Sequence, residues 1–270
     1  MPELPEVETT VRGLRKVLEG RRLTSVIPRR ADLRRAIPQD LGQRLTGARV
    51  TALGRRAKYG LIETDRGDTL IFHLGMSGRW RINPDELGKH DHLVIETDDG
   101  HRLALNDPRR FGSLDLLRTE AIADWPPFLA IGPEPLGAAL SGKWFKERFA
   151  GRTTAVKLLL LDQRIVAGLG NIYVCEALFR ARIDPRKAAG KVARSKLDAL
   201  AAAIPAVLEE AIAAGGSSLR DFAAPDGELG YFSKTFDVYG RAGEPCGCGD
   251  RVRRIVQGGR STFFCPACQR

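Results

Sequence analysis

Apolar residues recur at three- and four-residue steps at the start of the chain, which is the spacing of one face of a helix. The residues on this face are Leu4, Val7, Val11, Leu14 and Leu18. Pro5 suits the first helical turn, where its missing N–H costs nothing. Glu3 and Glu6 would lie at the positive end of the helix dipole, which stabilises carboxylates. The pattern predicts a capped amphipathic helix that opens a domain.

The next stretch, from about residue 22 to 120, is β-rich. Apolar and β-branched runs such as Leu70-Ile71-Phe72 and Leu93-Val94-Ile95 alternate with turn signals at Arg66-Gly67-Asp68 and Asp98-Asp99-Gly100. Short strands separated by turns are typical of a β-sandwich or a β-barrel. We therefore expect such a structure behind the N-terminal helix.

The pattern changes again in the second half of the chain. Residues 121–152 contain proline-rich turns and predict a linker that carries short helices. Helices are then predicted over the Val156–Leu161 region, from Asn171 toward Arg182, and near 194–214. Pro205 lies inside the last of these and predicts a kink or break there. Strands followed by helices make an α+β protein.

The charge balance narrows the class of partner. Lys and Arg number 43 against 33 Asp and Glu, a formal net charge of +10. This excess favours nucleic acid over a membrane surface, because no basic amphipathic helix or spanning segment accompanies it. No basic region followed by an apolar core opens the chain, so we expect no signal peptide. With 270 residues, 43% of them hydrophobic, the chain is long enough for two domains.

The second residue, Pro2, is small enough to allow removal of Met1, which would expose a secondary amine. An α-amine with a pKa of about 8 is roughly a tenth neutral at pH 7, whereas a lysine is almost wholly protonated. Such an amine can attack electrophilic carbon and form a Schiff base without deep burial. Two interpretations stay open from the spacing alone: a helix that holds a reactive amine beside two carboxylates, or a capped amphipathic helix and nothing more.

Four of the five cysteines lie in two close pairs near the C-terminus. Cys246-Gly247-Cys248 and Cys265-Pro266-Ala267-Cys268 flank sixteen residues. Four thiolates in this arrangement predict one structural, tetrahedral Zn²⁺ site with no position open for water. The first pair has one spacer residue instead of two, so we expect a distorted knuckle there. The arginines between the pairs suit phosphate contacts, and Cys175 is expected to be an inert core thiol.

Four further stretches are weaker candidates for function. Lys58 lies in a basic stretch that suits either phosphate binding or a solvated loop. The segment 106–112 joins two arginines to Phe111, which suits a wedge that enters a base stack or an ordinary turn. The turn at Gly168-Leu169-Gly170 precedes a predicted helix and suits phosphate binding by backbone N–H groups. His90-Asp91-His92 has the donor types of a metal site, but two histidines and one carboxylate in an extended segment more often have another role.

Taken together, short motifs along the chain resemble those of the bacterial formamidopyrimidine-DNA glycosylases, the base-excision enzymes for oxidised purines. The motifs are PELPEVET, RRAKY, HLGMSG, KHDH, NDPRRFG, GPEPL, GNIYVCEALF, GYF, VYGR and GGRSTFFCPACQ. They follow one another in order over essentially the whole chain. Chance does not explain a match of this extent and specificity.

The resemblance implies an α+β fold: an N-terminal β-sandwich flanked by helices, a helix-two-turns-helix module and a C-terminal zinc β-hairpin. The implied catalytic domain spans 1–120, and the linker with short helices spans 121–152. The helix-two-turns-helix DNA-binding domain spans 153–235 and the four-cysteine zinc finger 236–270. The loop that covers the flipped base is expected over Ser217–Tyr231.

The resemblance also implies roles for residues that act on the sugar. Pro2 is implied as the nucleophile that attacks C1′ and forms the Schiff base, and Glu3 as the acid, with Glu6 in support. Lys58 matches the lysine assigned to β-elimination, and Arg260 the arginine assigned to δ-elimination.

Other residues match positions that bind DNA. The matching DNA contacts are His90, Arg109, Arg152 and Asn171. Met76, Arg109 and Phe111 match the three residues that fill the gap left by the extruded base. Lys157 matches a lysine linked to recognition of oxidised guanine.

The implied function is a bifunctional DNA glycosylase and abasic-site lyase whose partner is duplex DNA with oxidised or abasic sites. One structural Zn²⁺ is implied as the cofactor, and its thiolates lower the formal charge from +10 toward +8. A monomer in the bacterial cytoplasm, associated with the nucleoid and not with a membrane, is expected. One alternative is an endonuclease VIII-type enzyme for oxidised pyrimidines, which Leu4 and the intact wedge disfavour. The other is a non-catalytic DNA-binding relative, which Pro2 and Glu3 disfavour.

Overall fold

The computed structural model describes residues 2–137, 140–217, 224–225 and 230–270. The chain forms two compact units. The first contains residues 1–129 and 214–231, and the second contains residues 130–213 and 232–270. Most of the predicted lesion-covering loop, at 218–223 and 226–229, lies outside the described residues.

The first unit opens with helix α1 (Leu4–Leu18), as the apolar stripe predicts. All five residues of the stripe are at most 1% exposed. Glu3 is the N-cap, and Pro5 lies in the first turn. The backbone N–H of Glu3 donates to Oε2 of Glu6 at 2.8 Å, which is one half of a capping box. The helix therefore begins where the residues at its N-terminus predict.

Two antiparallel four-stranded sheets follow, with short helices at their borders. The elements are β1 (Leu23–Pro28), α2 (Leu41–Leu45), β2 (Val50–Arg56), β3 (Tyr59–Thr64), β4 (Asp68–His73), β5 (Arg79–Ile82), β6 (Asp91–Thr97), β7 (Arg102–Asn106), β8 (Ser113–Arg118) and α3 (Pro126–Leu129). One sheet has the order β1-β6-β7-β5 and the other β2-β3-β4-β8. The pairs β2–β3, β3–β4 and β6–β7 connect strands that follow one another in sequence, whereas β1, β5 and β8 pair with strands that do not.

The two sheets and α1 share a single apolar core. Its members come from α1, from both sheets and from α2, and almost all are below 5% exposed. Phe72 of β4 meets Trp80 of β5 in a T-shaped contact with ring centroids 5.6 Å apart. Sheets that pack face to face through their inner side chains form a sandwich. The predicted β-sandwich flanked by helices is confirmed.

The second unit is helical and ends in a two-stranded sheet. Its elements are α4 (Gly142–Phe149), α5 (Val156–Leu160), α6 (Asn171–Arg180), α7 (Arg194–Ala213), β9 (Arg253–Gln257) and β10 (Arg260–Phe264). Helix α7 packs against α4 and α6 through residues that are fully buried. None of the helices in the described ranges is long and apolar enough to cross a membrane.

Helix α7 continues through Pro205, so the predicted break there is wrong. The proline leaves the carbonyl of Ala201 without its usual helical donor, a loss that often ends a helix. Ile204, Val207 and Leu208 are fully buried on either side of the proline. Their packing against the neighbouring helices outweighs the missing hydrogen bond, which no local sequence rule takes into account.

Candidate functional site

The N-terminal end of α1 gathers Pro2, Glu3 and Glu6 in a buried position. Glu3 is 2% exposed and Glu6 is 1% exposed. Glu6 binds on both sides, because its Oε2 accepts the N–H of Glu3 and its Oε1 accepts both the N–H and the hydroxyl of Ser217, each at 2.9 Å. Glu6 thus ties the start of the chain to the first residue of the segment 217–231. Ser217 was not predicted, since nothing local in the sequence links it to residue 6.

Lys58 lies in the two-residue turn between β2 and β3 and is 9% exposed. The residue before it, Ala57, has a left-handed φ of 52°, which a residue with a side chain adopts rarely. Arg55 fixes this turn: its Nη1 donates to the carbonyl of Ala57 at 2.9 Å, and its Nε donates to Glu8 of α1 at 3.1 Å. Arg55 therefore links the lysine's turn to the helix that carries Glu3.

Burial alone would raise the pKa of Glu8, but hydrogen bonds from Arg12 and Arg55 outweigh it and lower that pKa below the ordinary value. The carboxylate therefore stays charged and holds Arg55 in place at neutral pH. The lysine turn is anchored to α1 by a charged pair whose arginine side chain is 8% exposed and whose glutamate side chain is 17% exposed.

His73, at the end of β4, lies beside the lysine turn and was not predicted. It is opposite Tyr59 in the sheet, with ring centroids 4.9 Å apart. Burial, followed by the positive charge of Lys58, lowers the pKa of His73 to about 4. Its Nδ1 accepts the N–H of Gly75 at 3.0 Å, so the neutral ring carries its proton on Nε2. The ring joins the lysine turn to the loop that carries Met76.

Met76, Arg109 and Phe111 lie on two neighbouring loops of the first unit, which join β4 to β5 and β7 to β8. Phe111 is 43% exposed, as the prediction of a wedge requires, and Arg109 is also exposed. The guanidinium carbon of Arg109 lies 4.8 Å from the centroid of the Phe111 ring. The two loops touch directly, because a Cβ on Gly75 would come within 2.3 Å of the carbonyl carbon of Phe111.

The sequence His90-Asp91-His92 does not form a metal site within the described part of the chain. Asp91 is 1% exposed and binds Arg81, the N–H of Gly88 and the amide of Asn106. His92 is equally buried, and its Nε2 bonds the carbonyl of Asp107 at 2.9 Å. His90 precedes β6 and is half-buried. Asp91 and His92 thus form hydrogen bonds within the sandwich, whereas the side chain of His90 is partly exposed to solvent.

In the second unit, Asn171 opens α6 directly after the predicted glycine turn. Its Nδ2 donates to the carbonyl of Ser261 at 2.9 Å and approaches the hydroxyl of Tyr239 at 3.4 Å. Gln163 organises the turn, since its Oε1 accepts the N–H of Gly168 and its Nε2 donates to the carbonyl of Leu169. The structure therefore places Asn171 against the residue that follows Arg260.

Arg260 is exposed and is the first residue of β10. It follows Gly258 and Gly259, whose φ values of 55° and 72° make a tight turn between two strands paired in register. Arg152 is exposed in the segment before α5. Lys157 lies within α5 and is fully buried. Of the four predicted residues of this unit, Arg152 and Arg260 are therefore exposed, Asn171 is half-buried and Lys157 is fully buried.

The four C-terminal cysteines converge on one point. Their sulfur atoms all lie within 4.8 Å of one another, with 3.8 Å between Cys246 and Cys268 and 3.5 Å between Cys248 and Cys265. Four thiolates at the usual Zn–S distance of about 2.3 Å stand about 3.8 Å apart in a tetrahedron. The donor set and its spacing therefore fit a structural Zn²⁺, and the predicted zinc site is confirmed.

The shortened first knuckle reaches the metal position through a tight turn. The N–H of Gly249 donates to the carbonyl of Cys246 at 2.9 Å, and Gly249 has a φ of 91°. A hydrogen bond from the backbone of Asp250, and then the neighbouring thiols, lower the pKa of Cys248 to about 7. The thiol hydrogen bonds raise the pKa of Cys268 to about 12 in the metal-free cluster. A bound Zn²⁺ removes these protons, because its ligands are thiolates.

Sequence models of three protein-family domains match the chain. The formamidopyrimidine-DNA glycosylase N-terminal domain matches residues 1–114. The formamidopyrimidine-DNA glycosylase H2TH domain matches residues 131–223, and the zinc finger found in FPG and IleRS matches residues 243–270. The three matches follow the order of the motifs and include the zinc cysteines.

Relatives resemble the chain over its full length. Proteins named formamidopyrimidine-DNA glycosylase from Novosphingobium aromaticivorans and Rhizorhabdus wittichii are 67% and 66% identical, with 100% of each chain covered. Among solved structures, a Lactococcus lactis FPG mutant in complex with DNA containing Fapy-dG has a TM-score of 0.92 at 36% identity, with both chains fully covered. A complex of the Lactococcus lactis Fpg with DNA containing an abasic site has the same score and identity over 99% of both chains. This chain belongs to the formamidopyrimidine-DNA glycosylase family.

Proposed function

We propose that this protein excises oxidised purines, such as 8-oxoguanine and formamidopyrimidines, from duplex DNA and then cuts the abasic strand. The observation that carries the proposal is the placement of Pro2 directly before the buried Glu3 at the positive end of α1. In a member of this family, that arrangement supports an enzyme and not a binding protein alone. The solved relatives bound to DNA with Fapy-dG or an abasic site support the same class of substrate.

The first step uses the amine that removal of Met1 exposes on Pro2. The lone pair of the neutral amine attacks C1′ of the flipped nucleotide, the bond to the base breaks, and the base leaves with the electron pair and takes up a proton. Glu3, as the acid, supplies the proton that the sugar ring oxygen needs when the ring opens. The product is an iminium between Pro2 and C1′, so glycosylase and lyase chemistry share one nucleophile.

The second step uses the acidity that the iminium gives to the sugar. Loss of the proton at C2′ expels the 3′ phosphate in a β-elimination, and a further elimination expels the 5′ phosphate. We assign Lys58 to the first elimination and Arg260 to the second. Arg55 supports the assignment of Lys58, because it binds both Glu8 of α1 and the carbonyl of Ala57 in the lysine turn. These bonds hold the turn against α1, the helix that directly follows Pro2 and Glu3.

DNA binding is assigned to residues from both units. His90, Arg109, Arg152 and Asn171 contact the DNA in this proposal, and Lys157 takes part in recognition of oxidised guanine. Met76, Arg109 and Phe111 fill the gap that the extruded base leaves. The exposure of Phe111 and its contact with Arg109 support this role, since a wedge must reach solvent before it enters a base stack.

The domain roles follow the same assignment. The catalytic β-sandwich spans 1–120, a linker 121–152, the helix-two-turns-helix domain with its lesion-covering loop 153–235, and the zinc finger 236–270. We further propose that the protein acts as a monomer in the bacterial cytoplasm and associates with the nucleoid through DNA, without a membrane. One structural Zn²⁺ holds the hairpin that carries Arg260.

A cleavage assay on three duplexes tests the proposal. One duplex carries 8-oxoguanine opposite cytosine, one carries an oxidised thymine opposite adenine, and one carries an abasic site. We expect strand cleavage of the first and third, with phosphates at both ends of the gap because both eliminations occur. Lys58→Ala should slow cleavage of the abasic duplex. Preference for the oxidised thymine would indicate an endonuclease VIII-type enzyme, and binding of all three without cleavage would indicate a non-catalytic relative.

A further inference from the structure

We propose that Asp107 is a positioning residue that locks the loops of the gap-filling residues together, so that Met76, Arg109 and Phe111 enter the duplex as one unit. The inference rests on the proposed function, since it explains how those three residues act. Asp107 itself has no assigned role. Its side chain is 1% exposed and points away from solvent.

The carboxylate of Asp107 accepts one hydrogen bond from each loop. Its Oδ1 accepts the hydroxyl of Ser77, the residue after Met76, at 2.6 Å. Its Oδ2 accepts the N–H of Gly112, the residue after Phe111, at 2.8 Å. Hydrogen bonds to a charged acceptor are about twice as strong as neutral ones. The two oxygens of one buried carboxylate therefore brace the two loops immediately beside the residues that fill the gap.

The hydroxyl of Ser77 forms two hydrogen bonds, one as a donor and one as an acceptor. It donates to Asp107 and accepts the backbone N–H of Arg109 at 3.2 Å. The hydroxyl thus connects the loop of Met76 to the backbone of a second gap-filling residue. A displacement of either loop would break a hydrogen bond in the other, which couples their positions.

The backbone of Asp107 forms hydrogen bonds with residues at the start of β6. Its N–H donates to the carbonyl of His90 at 2.9 Å, and its carbonyl bonds both Nε2 of His92 and the N–H of Arg110. Arg110 has a left-handed φ of 58°, a conformation that persists in a non-glycine residue only when its surroundings over-determine it. The brace is therefore anchored to β6, which keeps the turn rigid between Arg109 and Phe111.

A rigid wedge lowers the cost of extruding a base. Loops that become ordered only during insertion lose conformational entropy, and this loss reduces the net binding free energy. Preorganised loops avoid the loss. The cost of extrusion is largest for a paired base and least for an unpaired one. Loss of the brace should therefore slow excision from paired DNA more than excision from DNA in which the lesion has no partner.

The test is single-turnover excision of 8-oxoguanine opposite cytosine, compared with 8-oxoguanine opposite a stable abasic analogue. Asp107→Asn removes the negative charge and turns one of the two acceptors into an N–H₂ donor, so the charge-assisted hydrogen bonds that brace the two loops are weakened or reversed. We expect a loss of about tenfold or more on the paired duplex and a loss of at most about threefold on the unpaired one. Ser77→Ala should behave in the same way, and Ser77→Thr, which keeps a hydroxyl, should restore the rate.

Asp99→Asn is the matched control, because Asp99 also accepts a hydroxyl hydrogen bond at 2.6 Å, from Thr97, in a different turn of the same unit. It should change neither rate. An equal loss on both duplexes, or no loss, in folded Asp107→Asn and Ser77→Ala would overturn the inference while the wild-type protein still cleaves. A wild-type protein that cleaves neither duplex overturns the proposed function and the inference with it. Should Asp107→Asn not fold, Ser77→Ala decides in the same assay.

Discussion

Single buried side chains hold the reactive segments of this protein through bonds that cross long stretches of sequence. Glu6 binds Ser217, 211 residues away, and Arg55 binds Glu8, 47 residues away. Each is a charged or polar group withdrawn from water, where an unmade hydrogen bond is costly. The bonds therefore fix the position of neighbouring functional residues as well as contributing to stability.

Residue-level prediction from the sequence was uneven for a physical reason. Phe111 was interpreted as a wedge or as part of an ordinary turn because two arginines precede it, and its ring is 43% exposed in that turn. His73 and Asp107 were missed, since each acquires its role only when distant strands bring its partners together. Local spacing records which residues a helix or turn presents, but not which ones the fold places against them.

The lowered pKa of His73 predicts acid sensitivity. The unfolded chain binds a proton near pH 6.5 and the folded protein only near pH 4, so the unfolded state is favoured as pH falls through that window. The free energy of unfolding should fall by up to about 3 kcal/mol between pH 6.5 and 4 on account of this residue. Urea titrations at several pH values should show that the free energy of unfolding falls less between pH 6.5 and 4 in His73→Gln than in the wild-type protein. Parallel losses in the two proteins would contradict the assignment.

Gly75→Ala should disturb the gap-filling loops. Gly75 has a φ of 62°, and an added Cβ would meet the Phe111–Gly112 peptide at 2.3 to 2.5 Å. We expect a fall in the free energy of unfolding of about 2 kcal/mol or more, from the left-handed conformation and from the clash together. Thermal unfolding and excision from paired DNA should both be impaired.

Gly100→Ala is the control for this substitution, because Gly100 has a φ of 88° but no atom within 4 Å of an added Cβ. It should show only the conformational cost, about 1 kcal/mol. An equal fall in the free energy of unfolding in the two variants would mean that the contact between the two loops does not contribute to stability.

At the level of elements, the helices and strands with a strong periodic pattern were predicted well. Helix α1 and the sandwich are confirmed, because their apolar residues repeat with the period of the element. The exception is Pro205, where buried neighbours on the same helix outweigh a local signal. The zinc hairpin was predictable for a different reason, since cysteine pairs specify a metal site by chemistry and not by periodicity.

Removal of zinc should release the hairpin and weaken DNA binding. Val238, Val252 and Phe263 form a small core around the cluster together with Cys175 of α6, and the metal closes this core. In domains of this size the free energy of metal binding supplies much of the free energy of folding, so the metal-free hairpin should lose its ordered structure. Cys248→Ser is expected to lose bound zinc and to bind lesion duplex at least about tenfold more weakly. Metal analysis and DNA titration measure both effects.

Cys175→Ala provides the comparison for that experiment. Cys175 is a buried member of the same small core but lies outside the four-sulfur cluster, so Cys175→Ala removes a thiol from that core without removing a metal ligand. The variant should keep one zinc per chain and its affinity for DNA. A zinc-free Cys248→Ser protein that binds DNA as tightly as the wild type would show that the hairpin does not depend on its metal for binding.

At the level of the whole molecule, the positive charge predicts binding that depends steeply on salt. Each phosphate contact releases counterions, so the logarithm of the affinity falls linearly with the logarithm of the salt concentration. Arg152 is exposed and assigned to DNA, whereas Arg164 of the same unit is exposed but paired with Asp162 at 2.7 Å. Arg152→Ala should reduce the magnitude of the slope by about 1, and Arg164→Ala should leave it unchanged. Identical slopes in all three proteins would argue against the assigned contact.

The overall architecture was largely predictable, because family motifs extend along the whole chain and each one marks a structural unit. Sequence motifs identified the α+β fold, the zinc finger and the candidate catalytic residues. They could not supply the hydrogen bonds of Glu6, Arg55 and Asp107, which depend on the folded arrangement of the sheets.

The central claim is that the N-terminal amine of Pro2 forms a covalent iminium with the sugar of the lesion. Borohydride reduces an iminium to a stable amine, so incubation with an 8-oxoguanine duplex and borohydride should yield a covalent complex. Peptide mapping should place the link on the nitrogen of Pro2, and strand cleavage should appear when borohydride is omitted. A variant with one alanine inserted between Met1 and Pro2 converts that nitrogen to an amide and should give no link at Pro2. Tight binding of the wild-type protein without trapping or cleavage would contradict the account.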